Sequence, residues 1–557
     1  MSIFSASAPK QRVDVVRPTA AKHDGTPPQA PPRAAPPTTR AGRPSTELSH
    51  NLLATYRSVR RRHFARQRVE NLAESHATGL TLPDGSPFNP RQALANIARQ
   101  DIDPTTQLPD GISDDDQGNF MPLPGEEIYD RYCVQATLGS GTFGVVLRCF
   151  DSHREDFVAV KVVRAHPSYT AQGKSEVGVL VKLAEWTRPH AFGTGSTNTP
   201  RRPQQALSPT AQSVLTDGAD HVVKLRKNFM WRGHLCLVFE LLSHTLYDLV
   251  RRSRYVGISL NLVGKFGVQL SKALHLLCAA PQPIIHCDVK PENILLAKSN
   301  RSHIKLVDFG SSCFIHGDFK PRYVQSRFYR APEVMLRVAY GCEVDVWSCA
   351  CVLAELFTGK PLFGGRSEPD QLNRIQAILG PIPKRLVDQS PKRTLFKLRK
   401  VTGPTSIRSP YYFELTPPRP AEGGGPPQVP PGSSADCSDY PWDDSQPLSV
   451  QECAASLKAT LIKTKLARRN DAAGGAPLPP PTGDDEIDDA HLTTLCDMLA
   501  LMLRYDKKER LTPAGMLRHD FFVKHAAMQA QLAASGAPGS AMSMTTSANP
   551  APGAGRA

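Results

Sequence analysis

Residues 284–293 read IIHCDVKPEN, and this short stretch says more about the chain than any other of its length. An aspartate, a lysine and an asparagine occur at positions 288, 290 and 293. These side-chain types can accept a proton, neutralise an anion and coordinate a metal ion, so the stretch predicts a catalytic loop. A cysteine, Cys287, stands directly before the aspartate. The meaning of these residues depends on the motifs on either side of them.

A glycine-rich motif, LGSGTFGVV, occupies residues 138–146 and matches the pattern G-x-G-x-x-G-x-V. Glycines let the backbone turn tightly and approach phosphate oxygens closely. A strand pattern follows the motif, which argues against a dinucleotide-binding fold, where a helix would follow. In VAVK, Lys161 is predicted to neutralise ATP phosphates and Ala159 to face adenine. Glu176, on the next helical segment, is predicted to hold that lysine.

Two motifs downstream of the loop complete the set. KLVDFGSS supplies Asp308, which is predicted to hold Mg²⁺ together with Asn293. RAPEV contains Glu333 and ends a segment of suitable length for an activation loop. In this order the motifs predict phosphoryl transfer from ATP, with Asp288 accepting the proton of a substrate hydroxyl and Lys290 contacting the γ-phosphate. Asp288, Lys290 and Asn293 are the predicted catalytic residues.

The predicted ATP site draws on the glycine-rich motif, the following strands and the end of LCLVFE. Phe239 would narrow the pocket behind adenine, and Leu295 would form its floor. The residues predicted to surround ATP are Leu138, Gly139, Ser140, Gly141, Thr142, Phe143, Gly144, Val146, Ala159, Lys161, Glu176, Phe239, Glu240, Leu242 and Leu295.

The periodicity along the chain predicts an α+β, bilobal fold, and the motifs above identify it as a protein kinase fold. Runs of strand length, YCVQATL, VVLRCF, VAVKVV and LCLVFE, come first. Longer helical patterns follow, as in LNLVGKFGVQLSKALHLLCAA, where apolar residues recur every three or four positions. We therefore expect a small β-rich N-lobe and a larger helical C-lobe, with ligands bound between them.

Composition divides the rest of the chain. Nine prolines in the first fifty residues and few large apolar side chains predict disorder there. The expected segments are a disordered Pro/Ala/Arg-rich tail at 1–46, an accessory segment at 47–131, the kinase domain at 132–522 with insertions at about 187–218 and 415–489, and a disordered tail at 523–557. The first insertion is predicted to be a surface loop, and the second to contain one helix, VQECAASLKATLIKTKLARR.

The net charge of +15 raises the question of nucleic acid, but residues 1–100 alone carry 15 Lys and Arg against 6 Asp and Glu. The densest run, RSVRRRHFARQR at 57–68, has two readings. It is either a nuclear import signal or anion-binding surface, or the solvated face of a helix with Leu52, Leu53, Tyr56 and Val59 on its other side. We favour the solvated helix.

Several other classes of protein and site are not indicated. No apolar run is long enough for a membrane span, and the opening residues lack the apolar core of a signal peptide. The twelve cysteines show no C-x-x-C pair and predict neither zinc nor disulfides. These features predict a cytoplasmic or nuclear protein; its oligomeric state is left open.

The stretches HCDVKPENILL, DFGSSC, YVQSRFYRAPEV and HLCLVFELLSHTLYDLV resemble the dual-specificity tyrosine-regulated kinases, the DYRK family of the CMGC group. The resemblance covers about residues 111–380 and 491–523. The segment near 111–120 is similar to the acidic homology box of that family's second class, and RAPEV points to the same class.

This resemblance implies autophosphorylation of Tyr323 in the activation loop. It also implies that Arg327 and Arg330 bind the phosphate, which would explain why Cys287 can stand where many kinases have an arginine. Three supporting residues follow in the same way. They are Asp345, which braces the catalytic loop, and Glu333 and Arg510, which pair with each other.

Departures from the family pattern leave alternatives open. Pro321 replaces the first tyrosine of the family's Tyr-x-Tyr, which weakens the implication for Tyr323. Gly173 and Gly178 flank Glu176 and predict a weakened helix there. The leading hypothesis is an ATP-dependent Ser/Thr kinase whose substrates carry proline after the acceptor and often an upstream arginine. The alternatives are a pseudokinase scaffold and, least favoured, a nucleic-acid-binding protein.

Overall fold

The computed structural model describes residues 58–71, 82, 86–99, 114–115, 117–188, 209–298, 302–317, 321, 323–391, 396–400, 411–415, 447–472 and 488–534. The tail predicted at 1–46 lies outside these residues, as do Leu52, Leu53 and Tyr56.

Twelve strands are present in the described part of the chain. The first six are β1 (Glu127–Ile128), β2 (Tyr132–Gly141), β3 (Gly144–Asp151), β4 (Asp156–Val163), β5 (Leu225–Trp231) and β6 (His234–Glu240). The others are β7 (Ile284–Ile285), β8 (Ile294–Leu296), β9 (Ile304–Leu306), β10 (Cys313–Phe314), β11 (Phe396–Lys400) and β12 (Tyr411–Leu415).

The described helices begin with α1, residues 58–71. The next are α2 (Pro90–Ile97), α3 (Pro167–Trp186), α4 (Pro209–Ala219), α5 (Leu246–Arg252), α6 (Leu260–Ala279) and α7 (Pro332–Met335). The last are α8 (Glu343–Thr358), α9 (Glu368–Leu379), α10 (Lys384–Asp388), α11 (Val450–Ala472), α12 (Asp489–Met502), α13 (Pro513–Leu517) and α14 (Asp520–Ala534).

One antiparallel sheet of six strands forms the N-terminal lobe, in the order β1-β2-β3-β4-β6-β5. Successive side chains of a strand point to opposite faces, so an alternating apolar sequence buries one face. In β3, Val145, Leu147 and Cys149 are buried and alternate with more exposed residues. Helix α3 packs against this sheet and carries Glu176 toward the second lobe.

The C-terminal lobe is mostly helical, as the periodicity predicts. Helix α6 starts at the cap Ser259, whose hydroxyl accepts from the Leu262 N–H, and it buries Phe266, Leu270 and Leu274 along one face. Helix α8 is buried along almost its whole length and forms the centre of this lobe. Short pairs β7–β10 and β8–β9 lie next to the loop that contains IIHCDVKPEN.

The helix that we favoured for the basic run at 57–68 is present from residue 58, and Arg66 is largely exposed, but its arginines do not form one solvated face. Arg60 pairs with Glu127 at 2.8 Å, and Arg61 pairs with Asp130. Arg68 is 4% exposed and pairs with the buried carboxylate of Glu126 at 2.5 Å. The prediction failed because these acidic partners lie 58 to 69 positions away in sequence, beyond the reach of a local charge pattern.

Two segment predictions need correction, and a third is confirmed as a helix whose packing was not foreseen. The surface loop expected at 187–218 contains α4, which buries Leu215 and packs against α6. The tail expected from residue 523 continues as α14 and buries His525. The helix expected in the second insertion is present as α11, but it packs on α8, α9 and α12 as part of the C-terminal lobe. Packing partners distant in sequence hold all three elements.

Among the described helices, none combines the length and apolar character that crossing a membrane requires.

Candidate active site

A cavity of about 610 Å³ opens between the sheet and the helical lobe. This volume lies in the usual range for small-molecule sites. Of the fifteen residues predicted to surround ATP, all except Thr142 line it. Thr142 is exposed at the tip of the hairpin between β2 and β3.

The glycine-rich motif forms that hairpin over the cavity. Gly144 has φ 138°, and a Cβ at this position would lie 2.1 Å from the Val162 carbonyl oxygen, so a larger residue cannot fit. Beside it, the Phe143 ring packs edge-on against Tyr169 of α3, with centroids 6.0 Å apart. The loop that covers the cavity is thereby tied to the helix that carries Glu176.

Lys161 lies between two carboxylates. Its Nζ is 2.8 Å from Glu176 Oε2 and 2.9 Å from Asp308 Oδ1. Burial alone would lower the pKa of Lys161, but the charges of Asp308 and Glu176 outweigh it and raise that pKa. Burial raises the pKa of Glu176, whereas the attraction of Lys161 outweighs burial at Asp308 and lowers its pKa. The three groups form one charged cluster at the back of the cavity.

The glycines in α3 do not interrupt the helix, which is continuous from Pro167 to Trp186. Gly173 is buried, and a Cβ there would lie 2.9 Å from Leu235 Cδ2. The missing side chain therefore lets α3 approach the sheet closely. Gly178 has open space around it.

Asp308 has a left-handed backbone, with φ 61°. The next residue, Phe309, is 1% exposed and packs edge-on against His286, with ring centroids 4.9 Å apart. His286 Nε2 is 3.0 Å from the Val307 carbonyl oxygen. This packing holds Asp308 with its carboxylate toward Lys161.

Three polar side chains meet at the predicted catalytic aspartate. Asp288 Oδ2 accepts from Lys290 Nζ at 2.7 Å and from Asn293 Nδ2 at 3.0 Å. Asp288 Oδ1 accepts from the Ser326 hydroxyl at 2.8 Å. The three predicted catalytic residues are therefore in direct contact, and Ser326 joins them from the activation segment.

Asp345 braces the loop from below, as the resemblance implies. Its carboxylate is buried and accepts from the backbone N–H groups of His286 at 2.7 Å and Cys287 at 3.0 Å. Burial raises the pKa of Asp345 to about 7, and these two hydrogen bonds act against that rise. Cys287 is itself buried with a left-handed φ of 65°, so the two bonds hold a turn that a side chain disfavours.

The two predicted phosphate-binding arginines lie in different places. Arg330 Nη1 donates to the Tyr323 hydroxyl at 2.6 Å, and its guanidinium lies 4.0 Å from the centre of that ring. Arg327 instead donates to the Arg366 carbonyl at 2.6 Å. Arg337, which the sequence analysis did not select, lies 4.2 Å from the Tyr323 ring.

Glu333 and Arg510 form the predicted pair. Arg510 Nη1 and Nη2 reach the two carboxylate oxygens of Glu333 at 2.7 and 3.1 Å, and both side chains are buried. A two-pronged contact of this kind fixes both partners in orientation. It ties the end of the activation segment to the C-terminal lobe.

The oxygen atoms in the cavity fit magnesium. Asp308 offers a carboxylate, and Asn293 uses its amide hydrogens on Asp288, which leaves its amide oxygen as the atom suited to a cation. Magnesium commonly takes one or two protein oxygens and completes its shell with water and phosphate. In the described part of the chain, no cluster of three or more His, Cys, Asp or Glu is arranged to hold a metal ion.

Sequence reasoning missed several residues that line the cavity. Val307 directly precedes Asp308, and Glu292 lies inside KPEN. Their positions next to predicted site residues could have identified both. Other lining residues follow the end of β6 or lie near its partner strand and carry no motif; they are Val223, Leu241, Ser243, His244, Thr245 and Asp248.

Comparison of the sequence with known proteins identifies the family of this chain. The family model for the protein kinase domain matches residues 210–522. The Serine/threonine-protein kinase ppk5 of Schizosaccharomyces pombe is 40% identical over 289 residues, which are 52% of this chain and 31% of that protein. The chain thus matches about a third of the length of that relative. The matched family region starts after Lys161 and Glu176, yet the fold brings both to the cavity that Asn293 and Asp308 also line. The chain belongs to the protein kinase family.

Proposed function

We propose that this chain is an active, ATP-dependent Ser/Thr protein kinase of the DYRK family, of its second class. The observation that carries the proposal is the contact of Lys161 with both Glu176 and Asp308, at 2.8 and 2.9 Å. A kinase needs this lysine held by a carboxylate and the magnesium-binding aspartate in place at the same time. Both conditions hold in one conformation.

The reaction follows from the atoms at the catalytic loop. A substrate Ser or Thr oxygen attacks the γ-phosphorus of ATP, the bond from that phosphorus to the β,γ-bridging oxygen breaks, and ADP leaves with the bond's electrons. Asp288 accepts the hydroxyl proton, and Lys290 offsets negative charge on the γ-phosphoryl oxygens. Ser326 occupies the Asp288 carboxylate at 2.8 Å, so we expect the substrate hydroxyl to replace it.

Asn293 and Asp308 would hold Mg²⁺, which supplies positive charge to the phosphate oxygens when bound. The glycine-rich hairpin would exclude water above the phosphates. The cavity wall formed by Ala159 and Leu295 would hold the adenine ring.

We extend the proposal to autophosphorylation of Tyr323. The ring is half exposed and its hydroxyl faces Arg330 at 2.6 Å, which supports a phosphate at this position. The Pro321 carbonyl oxygen accepts a hydrogen bond from the Tyr340 hydroxyl, and the contact between Arg330 and Tyr323 is present alongside it.

For substrates, we propose Ser or Thr followed by proline, with an upstream arginine. Two carboxylates at the cavity, Asp248 and Glu292, are of the charge that would attract such an arginine. The proposed partners of the site are therefore Mg²⁺, ATP and these protein substrates. We propose that the protein acts in the cytoplasm or the nucleus.

Pseudokinase scaffolds usually lack at least one of the five catalytic groups. All five are present here: Lys161 contacts Glu176 and Asp308, and Asn293, which lines the same cavity, contacts Asp288. The nucleic-acid alternative rested on the basic run, whose Arg60, Arg61 and Arg68 contact acidic side chains of the protein itself. The kinase proposal is the one that the site favours.

The test uses full-length protein from bacteria, with phosphorylation mapped by mass spectrometry beside Lys161→Ala and Asp288→Asn. We expect phosphate on Tyr323 and on Ser or Thr sites in the wild type, and none in either variant. Phosphate on Ser or Thr alone would remove the tyrosine step. Folded wild type that binds ATP and carries no phosphate would favour the scaffold.

A further inference from the structure

Arg337 occupies a backbone position that usually belongs to glycine. It follows α7 and its φ is 59°, in the left-handed region. Hydrogen bonds from Arg337 N to the Val334 carbonyl and from Val338 N to the Glu333 carbonyl, at 3.2 and 2.8 Å, close the end of the helix around it. Helices commonly end in this conformation, and glycine is preferred there because a side chain is strained. Strain of this kind points to a use for the side chain.

The side chain is used on Tyr323. The Arg337 guanidinium lies 4.2 Å from the centre of the Tyr323 ring, and that of Arg330 lies 4.0 Å from it. Attraction between a cation and an aromatic face holds such contacts. Two positive groups therefore converge on one tyrosine whose side chain is half exposed.

Arg330 alone is poorly matched to a phosphate. A phosphotyrosine carries a charge of about −2 at neutral pH. Arg330 already pairs with Glu368 at 3.3 Å, so one carboxylate offsets part of its charge. Arg327, the second ligand implied by the family resemblance, donates to the Arg366 carbonyl instead. Among the described residues, Arg337 is the further guanidinium in contact with the ring.

We propose that Arg337 is a phosphate-binding residue for Tyr323, acting together with Arg330. The inference rests on the proposed function, because it requires a phosphate on Tyr323. The proposal gives Arg337 two roles, one before and one after phosphorylation of Tyr323. The guanidinium first holds the unmodified ring and then moves from the ring face toward the phosphate oxygens, which it can contact through two N–H groups.

The test separates this inference from autophosphorylation by placing phosphotyrosine at position 323 through amber suppression in the full-length chain. The melting temperature is measured before and after removal of the phosphate by a tyrosine phosphatase, together with the rate of that removal. Arg337→Gly is the informative variant, since glycine suits the left-handed backbone at this position while the whole arginine side chain, with its guanidinium, is removed. Arg337→Lys keeps the charge, and Arg366→Gln changes a nearby arginine side chain that is 91% exposed.

We expect the phosphate to raise the melting temperature of the wild type and of Arg366→Gln equally. In Arg337→Gly at least half of this rise should be lost and the phosphate should be removed several-fold faster, with Arg337→Lys in between. A rise as large in Arg337→Gly as in the wild type would overturn the proposal. If bacterial wild type carries no Tyr323 phosphate, the tyrosine step fails, and the installed phosphotyrosine still decides the role of Arg337.

Discussion

Replacing Gly178 with alanine is expected to stabilise the protein, whereas the same change at Gly173 is expected to destabilise it. Both glycines lie in α3 and differ in what a Cβ would meet. At Gly178 nothing lies within 4 Å, so alanine brings its full advantage over glycine in a helix, about 1 kcal/mol.

At Gly173 the added Cβ would lie 2.9 Å from Leu235 Cδ2 and 3.3 Å from Val163 Cγ2. Forcing an extra methyl group into a packed core costs about 1–3 kcal/mol. Subtracting the helix gain of about 1 kcal/mol leaves a net cost of about 0–2 kcal/mol. The two variants should therefore differ in stability by about 1–3 kcal/mol, although they make the same chemical change.

Thermal unfolding of the full-length protein measures this difference. A change of 1 kcal/mol moves the midpoint by about 2–4 °C in a domain of 150–250 residues and by less in this longer chain. Kinase activity gives a second measurement, because pushing α3 away from the sheet would draw Glu176 from Lys161. A lower midpoint for Gly178→Ala, or an equal rise for both variants, would refute the packing argument.

Other contacts give further expectations. Arg510→Met should destabilise the protein by about 3–5 kcal/mol in chemical denaturation, because it leaves the buried Glu333 carboxylate without its partner, and adding Glu333→Gln should recover part of that loss. Lys465→Met should cost about 1–3 kcal/mol, since Nζ donates to three backbone carbonyls, including that of Phe357 at 2.8 Å; an unchanged midpoint would show that α11 docks without it. Burial lowers the pKa of His525 from 6.5 to about 4, so its contribution to stability is present above pH 6.5 and is lost as the pH falls toward 4; the melting temperature of His525→Gln should fall less between pH 7 and 5 than that of the wild type.

Short local motifs were enough to predict most residues of the candidate active site. Lys161, Asp288 and Asp308 each stand in a short pattern whose spacing follows from backbone geometry, and the structure brings all three to one cavity or its edge. Arg337 could not be found in this way. Its role depends on a left-handed backbone at the end of α7 and on the path of the activation segment, and neither is visible in residue order.

In the fold, too, local patterns were predicted and long-range contacts were missed. Runs of β-branched and apolar residues were enough to predict four of the six strands of the sheet, β2, β3, β4 and β6, whereas β1 and β5 were not predicted. Helix α4 was missed because its surroundings are rich in proline and glycine, although Leu215 is almost fully buried against the C-terminal lobe. The partners of the basic run were missed because ion pairs such as Arg68 with Glu126 join residues far apart in sequence.

Helix α1 has a consequence for where the chain can be shortened. Its Arg68 guanidinium lies 5.5 Å from the Phe120 ring, and Phe120 in turn packs edge-on against Trp231 at the edge of the sheet. A fragment that begins at residue 132 would lose Arg68 and Phe120 and leave Trp231 facing water.

A fragment cut to residues 210–522 would lose four strands of the sheet as well. We therefore expect a stable piece to include at least α1, the whole six-stranded sheet and the helices through α14. Helix α1 is thus part of the folding unit, and we expect destabilising substitutions in it to change the cellular abundance of the whole kinase domain.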